Sequence, residues 1–170
     1  MATSKERKDK LFSWADDVIR HSKIYDSNKH EIKNESYDGQ TAAFSVSVAM
    51  FGLKPTMVLY YNNDDDNNTS DKKTANSESE QSKIIKNNIV SLIFEMFKKD
   101  IEINDNDSKE EKERKEKYKN LNIKKEEDLY DKIIEANKTT KVTDAQFRKD
   151  IVSYAIALKL VIRTFQFKKS

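Results

Sequence analysis

From Thr143 to Phe165 the apolar residues Phe147, Ile151, Tyr154, Leu158, Val161, Ile162 and Phe165 recur by threes and fours. That spacing stacks side chains on one helical face. Val152, Ile156 and Leu160 supply a second apolar side, with Ser153 and Ala157 small enough for close approach. A helix apolar over most of its circumference is predicted to be central, packed by neighbours on several sides. Thr143 and Gln146 have the spacing of a capping box, and Val142 with Phe147 that of a hydrophobic staple. The polar remainder is a narrow strip. Arg148, Lys159, Arg163 and Gln166 project within about 60° of one another, at about 100° per residue.

The same spacing predicts a first helix over 4–25, with Leu11, Ala15, Val18, Ile19 and Trp14 inward. A second helix, over 37–52, carries almost no charge and is expected to be buried nearly all round. Gly52 suits a left-handed cap, and Pro55 suits the first turn of a short helix to Tyr61; a strand over 56–61 is the alternative. Ser77 and Glu80 open a further helix to Lys99, lined by Ile85, Ile89, Leu92, Ile93, Met96 and Phe97. Residues 125–137 form another, with Glu126, Glu127 and Asp128 in its first turn.

Two stretches interrupt the pattern. Residues 62–80 hold one alanine and no larger apolar residue, which predicts a mobile surface loop. Residues 104–120 are nearly all charged and are expected to be either a projecting helix or disordered, for want of an apolar stripe. The sum is an all-α, single-domain, compact bundle of five or six helices with two polar insertions.

Composition narrows the chemistry. Two glycines and one proline in 170 residues disfavour an all-β fold, and zero cysteines exclude disulfides and thiolate chemistry. There is no apolar leader and no run long enough to span a bilayer, so a cytoplasmic protein without membrane contact is expected. The two histidines, His21 and His30, sit in no zinc motif, and no Walker loop, dinucleotide fingerprint or nucleophile elbow is present. Asp64, Asp65 and Asp66 lack the EF-hand spacing. We therefore expect no enzyme, no metal and no cofactor.

The net charge of +2 conceals an asymmetry: residues 138–170 carry eight Lys or Arg against two Asp, and residues 62–80 two Lys against six acids. Arg148, Lys159 and Arg163, continued by Lys168 and Lys169, are candidate contacts to RNA phosphates, which set affinity without reading bases. Lys159 and Arg163 have an equally ordinary alternative, pairing with a carboxylate of a neighbouring helix such as Asp16 or Asp17. Tyr60, Tyr61 and Phe167 are candidates for base stacking, with a core position as the alternative for each.

Two strings carry a family resemblance. One is Tyr37-x-Gly39 leading into AAFSVSVAMFGLKPTMVLYY (42–61); the other is ALKLVIRTF (157–165). Together they resemble the small helical subunit of the type III-B CRISPR effector, the Cmr complex, closely over about 30 residues and by helix order over about 100. Residues 62–80 and 104–120 depart from that pattern. The resemblance implies a non-catalytic ribonucleoprotein subunit that stacks with copies of itself in a minor filament. It would lie along the guide–target RNA duplex beside other Cmr subunits, with Lys159 and Arg163 inside the matching string. A helical adaptor that binds only protein is the alternative.

Overall fold

A computed structural model describes residues 4–61, 80–135 and 144–168. Among these, seven helices occur in the order α1 (Ser4–Arg20), α2 (Ser36–Phe51), α3 (Leu53–Tyr60), α4 (Glu80–Asp100), α5 (Lys109–Lys119), α6 (Glu126–Glu135) and α7 (Asp144–Ile162). The fold is a helical bundle, but with seven helices rather than five or six, and with a small sheet that the apolar pattern does not announce. Thr143, the 62–79 stretch and Lys169 lie outside the described residues.

Helix α7 is the centre. Its residues Ile151, Tyr154, Ala155, Leu158 and Ile162 are fully buried, and α1, α2 and α4 all pack on it. Leu11, Ala15, Val18 and Ile19 of α1 close one side. All six inward residues expected of α4 are buried, together with Val90 and Phe94. Helix α2 runs antiparallel to α7: Arg163 near the end of α7 meets Asp38 at the start of α2, and Arg148 near its beginning reaches Ala49.

Gly52 makes the corner between α2 and α3. Its N–H donates to the Val48 carbonyl at 3.0 Å, ending α2. Its φ of 94° and ψ of 169° lie outside the left-handed helical well expected of such a cap, in a region that is essentially reserved for glycine. The Thr56 hydroxyl returns a bond to the Gly52 carbonyl at 2.9 Å, securing the first turn of α3.

The sheet is made of two-residue strands, β1 (Tyr25–Asp26), β2 (Glu31–Ile32) and β3 (Gln166–Phe167). β1 and β2 are antiparallel, with Tyr25 opposite Ile32; β3 joins β2 in parallel, with Phe167 also opposite Ile32. Asp26 accepts from the Asn28 and Lys29 amides, closing the turn between the first two strands. Hence α1 stops at Arg20 rather than running to residue 25, and α7 stops at Ile162. The Arg20 guanidinium lies 4.9 Å from the Phe165 ring centre and Tyr25 meets Phe165 edge-on, so this end of the bundle is sealed by aromatic contact.

The charged stretch 104–120 neither projects as a free helix nor stays without structure. Ser108 caps α5 by accepting from the Glu111 amide at 3.2 Å. Tyr118 joins Phe97 and Phe147 in a cluster of three rings, and the Lys115 ammonium is buried on Asp107 at 2.8 Å and the Glu102 carbonyl at 2.8 Å. With Arg114, which reaches Asp100 of α4, these two side chains replace the missing apolar stripe.

Candidate functional site

Two regions carry unusual chemistry: a buried polar cluster beneath α5 and an exposed face across α2, α3 and α7. The cluster joins four helices. Asp100, at the end of α4, is fully buried and accepts from both guanidinium nitrogens of Arg7 (2.9 Å each) and of Arg114 (3.0 Å each). The Tyr154 hydroxyl donates to the same carboxylate at 2.5 Å. Asp150 on α7 accepts from the Tyr118 hydroxyl at 2.6 Å, Gln146 at 3.2 Å, Arg114 at 3.3 Å and Arg7 at 3.5 Å.

Burial opposes the Asp100 charge, but the hydrogen bonds and charges of Arg7 and Arg114 outweigh it and hold the carboxyl well below the usual range. Burial pushes both phenols up, Tyr118 with the help of its bond to Asp150 and Tyr154 with that of the nearby Asp100 and Asp150 charges. Asp100 therefore stays ionised and both tyrosines stay protonated donors at neutral pH. Every carboxylate here is occupied by guanidinium and phenol, an arrangement that holds helices together and leaves no lone pair aimed at a substrate.

Asp100 and Asp150 were not singled out in the sequence, though a signal exists. Asp100 follows Met96 and Phe97 by four and three residues, and Asp150 stands three after Phe147 and four before Tyr154. Each is a lone carboxylate in register with a core stripe, where a charge survives only if paired.

A cleft of about 400 Å³ between the end of α1 and α4 is lined by Asp17, His21, Asn88, Glu95, Lys99 and Glu126. Within it Lys99 meets Asp17 at 2.5 Å and His21 lies 3.3 Å from Asp17, while Glu95 pairs with Lys98. Among the described residues no group of three His, Cys, Asp or Glu is placed to hold a metal ion, and no helix is long and apolar enough to cross a membrane.

Of the basic residues proposed from the sequence, Arg148 and Lys159 lie on α7 and Arg163 just past its end, and they differ in state. Arg148 is exposed and donates to the Ala49 carbonyl at 2.8 Å. Arg163 is paired with Asp38 at 2.7 Å, across an exposed contact. The expected partners Asp16 and Asp17 are instead taken by Arg20 and Lys99. The Lys159 side chain is half-buried and makes no hydrogen bond or ion pair with another described residue, and Lys168 is exposed beyond β3. The stacking candidates face inward: Tyr60 is buried edge-on to Phe44, Tyr61 leans on Tyr130, and Phe167 packs against the core.

The largest departure from expectation is α2, which is not buried all round. Phe44, Ser45 and Val48 are buried, but Val46 is 55 % exposed, Met50 69 % and Phe51 65 %. Gly39, Ala43, Val46 and Met50 share the outward face, and no charged residue occurs between Gly39 and Leu53. Val58 and Leu59 are exposed past the Gly52 corner, and Ile156 and Leu160 are exposed on α7. The missing charge that signalled deep burial thus marks exposed apolar residues on α2, which Arg148 and Arg163 reach from the α7 side. No protein-family model, no curated protein and no solved structure matches the chain.

Proposed function

We propose that this chain is a non-catalytic helical subunit whose role is to dock other macromolecules through the α2–α3–α7 face. One observation carries the proposal: Val46, Met50 and Phe51 stand exposed on α2, which has no charge after Asp38, with Val58 and Leu59 exposed on α3 and Ile156 and Leu160 on α7. Large apolar patches rimmed by polar residues mark interaction surfaces. Fully covering one such side chain is worth about 1.5–3 kcal/mol. The buried cluster fits the same role, since it fixes α7 and leaves its acids engaged. The test is site-specific photo-crosslinking in the cells that make the protein. A crosslinker at Met50 or Ile156 should give defined adducts of identifiable proteins, and one at Lys112 on α5 should not. Equal adducts from both sites would remove the support.

A second proposal follows from the line of cations. Lys159, Arg148 and Arg163 run along one edge of α7, and strings 42–61 and 157–165 resemble the small subunit of the type III-B CRISPR effector. In that role the protein would be a cytoplasmic ribonucleoprotein subunit, stacked with its own copies and with other Cmr subunits along guide and target RNA. Binding to unrelated RNAs should then weaken steeply with salt. Gel shifts across a salt series decide it: retention that ignores salt, or no retention at low salt even with partner subunits, counts against it.

A further inference from the structure

The docking role leaves open what kind of partner is docked, and the charge pattern of the face narrows it. Between Arg148 and Arg163, the outward side of α7 presents Arg148, Lys149, Lys159 and Arg163 beside Val152, Ile156 and Leu160, with no carboxylate among them. Among the described residues, the acid that meets this edge is Asp38 of α2, which is engaged by Arg163. The α2 side offers no charge at all from Gly39 to Met50. At its start a Cβ added to Gly39 would meet nothing within 4 Å, so another backbone can approach closely there.

Resting on that docking role, we propose that the face receives a helix from a different protein, apolar along one ridge and bearing carboxylates on the flank turned toward α7. Residues 39–50 extend about 16 Å, three turns, which sets the length of the matching ridge. Arg148 and Lys159 are also about 16 Å apart along α7. Carboxylates at positions i and i+11 of an antiparallel or parallel partner therefore meet both. A second copy laid on the same face brings an equally cationic edge and is disfavoured by like-charge repulsion. A nucleic-acid strand satisfies the cations but leaves Val46, Met50 and Ile156 uncovered.

The experiment uses the full chain and three synthetic helical peptides of about fifteen residues. One has a Leu ridge with Glu at i and i+11, the second has the same ridge with Lys at those positions, and the third has the Glu flank with the ridge changed to Gln. Binding is read by fluorescence anisotropy and located by amide NMR shifts. The Glu-flanked apolar peptide should bind at least about ten-fold tighter than the Lys-flanked one, with shifts confined to 39–59 and 148–163. Lys159→Glu should reduce or invert that preference, and Met50→Glu should weaken both apolar peptides; Met50 is exposed and Lys159 half-buried, and circular dichroism checks the fold of each variant. Equal binding of the Glu and Lys peptides overturns the acidic partner while leaving the docking role. So does self-association that grows with concentration and is lost in Met50→Glu, which assigns the face to a second copy. A short RNA that displaces the Glu peptide and binds more tightly overturns it in favour of nucleic acid. Failure of all three peptides at millimolar concentration, or shifts elsewhere on the protein, overturns both the partner and the docking role.

Discussion

Asp100 and Asp150, fifty residues apart in the chain, are gripped by the same two guanidinium groups, Arg7 from α1 and Arg114 from α5. The two acids and two arginines balance in charge, and the hydroxyls of Tyr154 and Tyr118 complete the set. Every buried side-chain nitrogen and oxygen among the described residues has a partner.

Breaking this balance is expected to be costly. Asp100→Asn leaves two partly buried arginines short of charge, and removing one partner of a buried pair costs about 3–5 kcal/mol. Tyr154→Phe removes a single hydrogen bond to the same carboxylate and should cost about 1–3 kcal/mol. Urea denaturation of the two variants beside the parent measures both, and a smaller loss in Asp100→Asn than in Tyr154→Phe would contradict this ranking.

The pH dependence has a definite sign. Asp100 is depressed in the folded state, so its contribution is complete above the unfolded aspartate value of about 3.9 and is lost as pH falls below it. Tyr118 and Tyr154 are raised, so their contribution is complete below about pH 10 and is lost as pH climbs past it. Thermal melting from pH 2 to 12 should show a broad plateau with a fall at each end. Tyr118→Phe should soften the alkaline fall and leave the acid one in place.

Lys115 and Asp107 make a second buried pair, which ties α5 to the loop before it. Lys115→Ala should cost about 3–5 kcal/mol by stranding the carboxylate, and adding Asp107→Ala should recover part of the loss. A double-mutant cycle with hydrogen exchange over 101–119 tests this coupling.

Gly52→Ala places a Cβ where the backbone is strained for any other residue, at a cost of about 1–3 kcal/mol, even though the nearest foreign atom, Pro55 Cδ, is 3.9 Å away. By contrast Arg163→Ala breaks only an exposed pair and should change stability by about 0–1 kcal/mol. Melting temperatures of the two variants should therefore separate clearly.

Helices α1, α4 and α7 were legible because their apolar residues repeat over four or more turns, so burial and period agree. Two-residue strands such as Glu31–Ile32 carry no period and could not be read. Helix α5 was unreadable for another reason: its anchors Arg114, Lys115 and Tyr118 look like surface residues until their distant partners are known. On α2 the pattern misled. An uncharged helix is equally suited to a core and to an interface, and only the fold distinguishes Phe44, which is inside, from Met50, which is not. The cations of α7 were visible individually, whereas the pairing of Arg163 with Asp38, 125 residues away, was not.

Helix α5 is fastened by polar clips rather than by an oily seam, and this sets how it detaches. Its release wets one aromatic contact, Tyr118 with Phe97 and Phe147, so calorimetry and denaturant slopes, which track newly wetted area, should register the step only weakly. Acid will register it, because protonating Asp100 undoes its two hydrogen bonds to Arg114 of α5. Moderate warming works the other way, since stripping water from ions becomes cheaper as temperature rises. The segment richest in charge should therefore loosen first in acid and hold comparatively well in the heat.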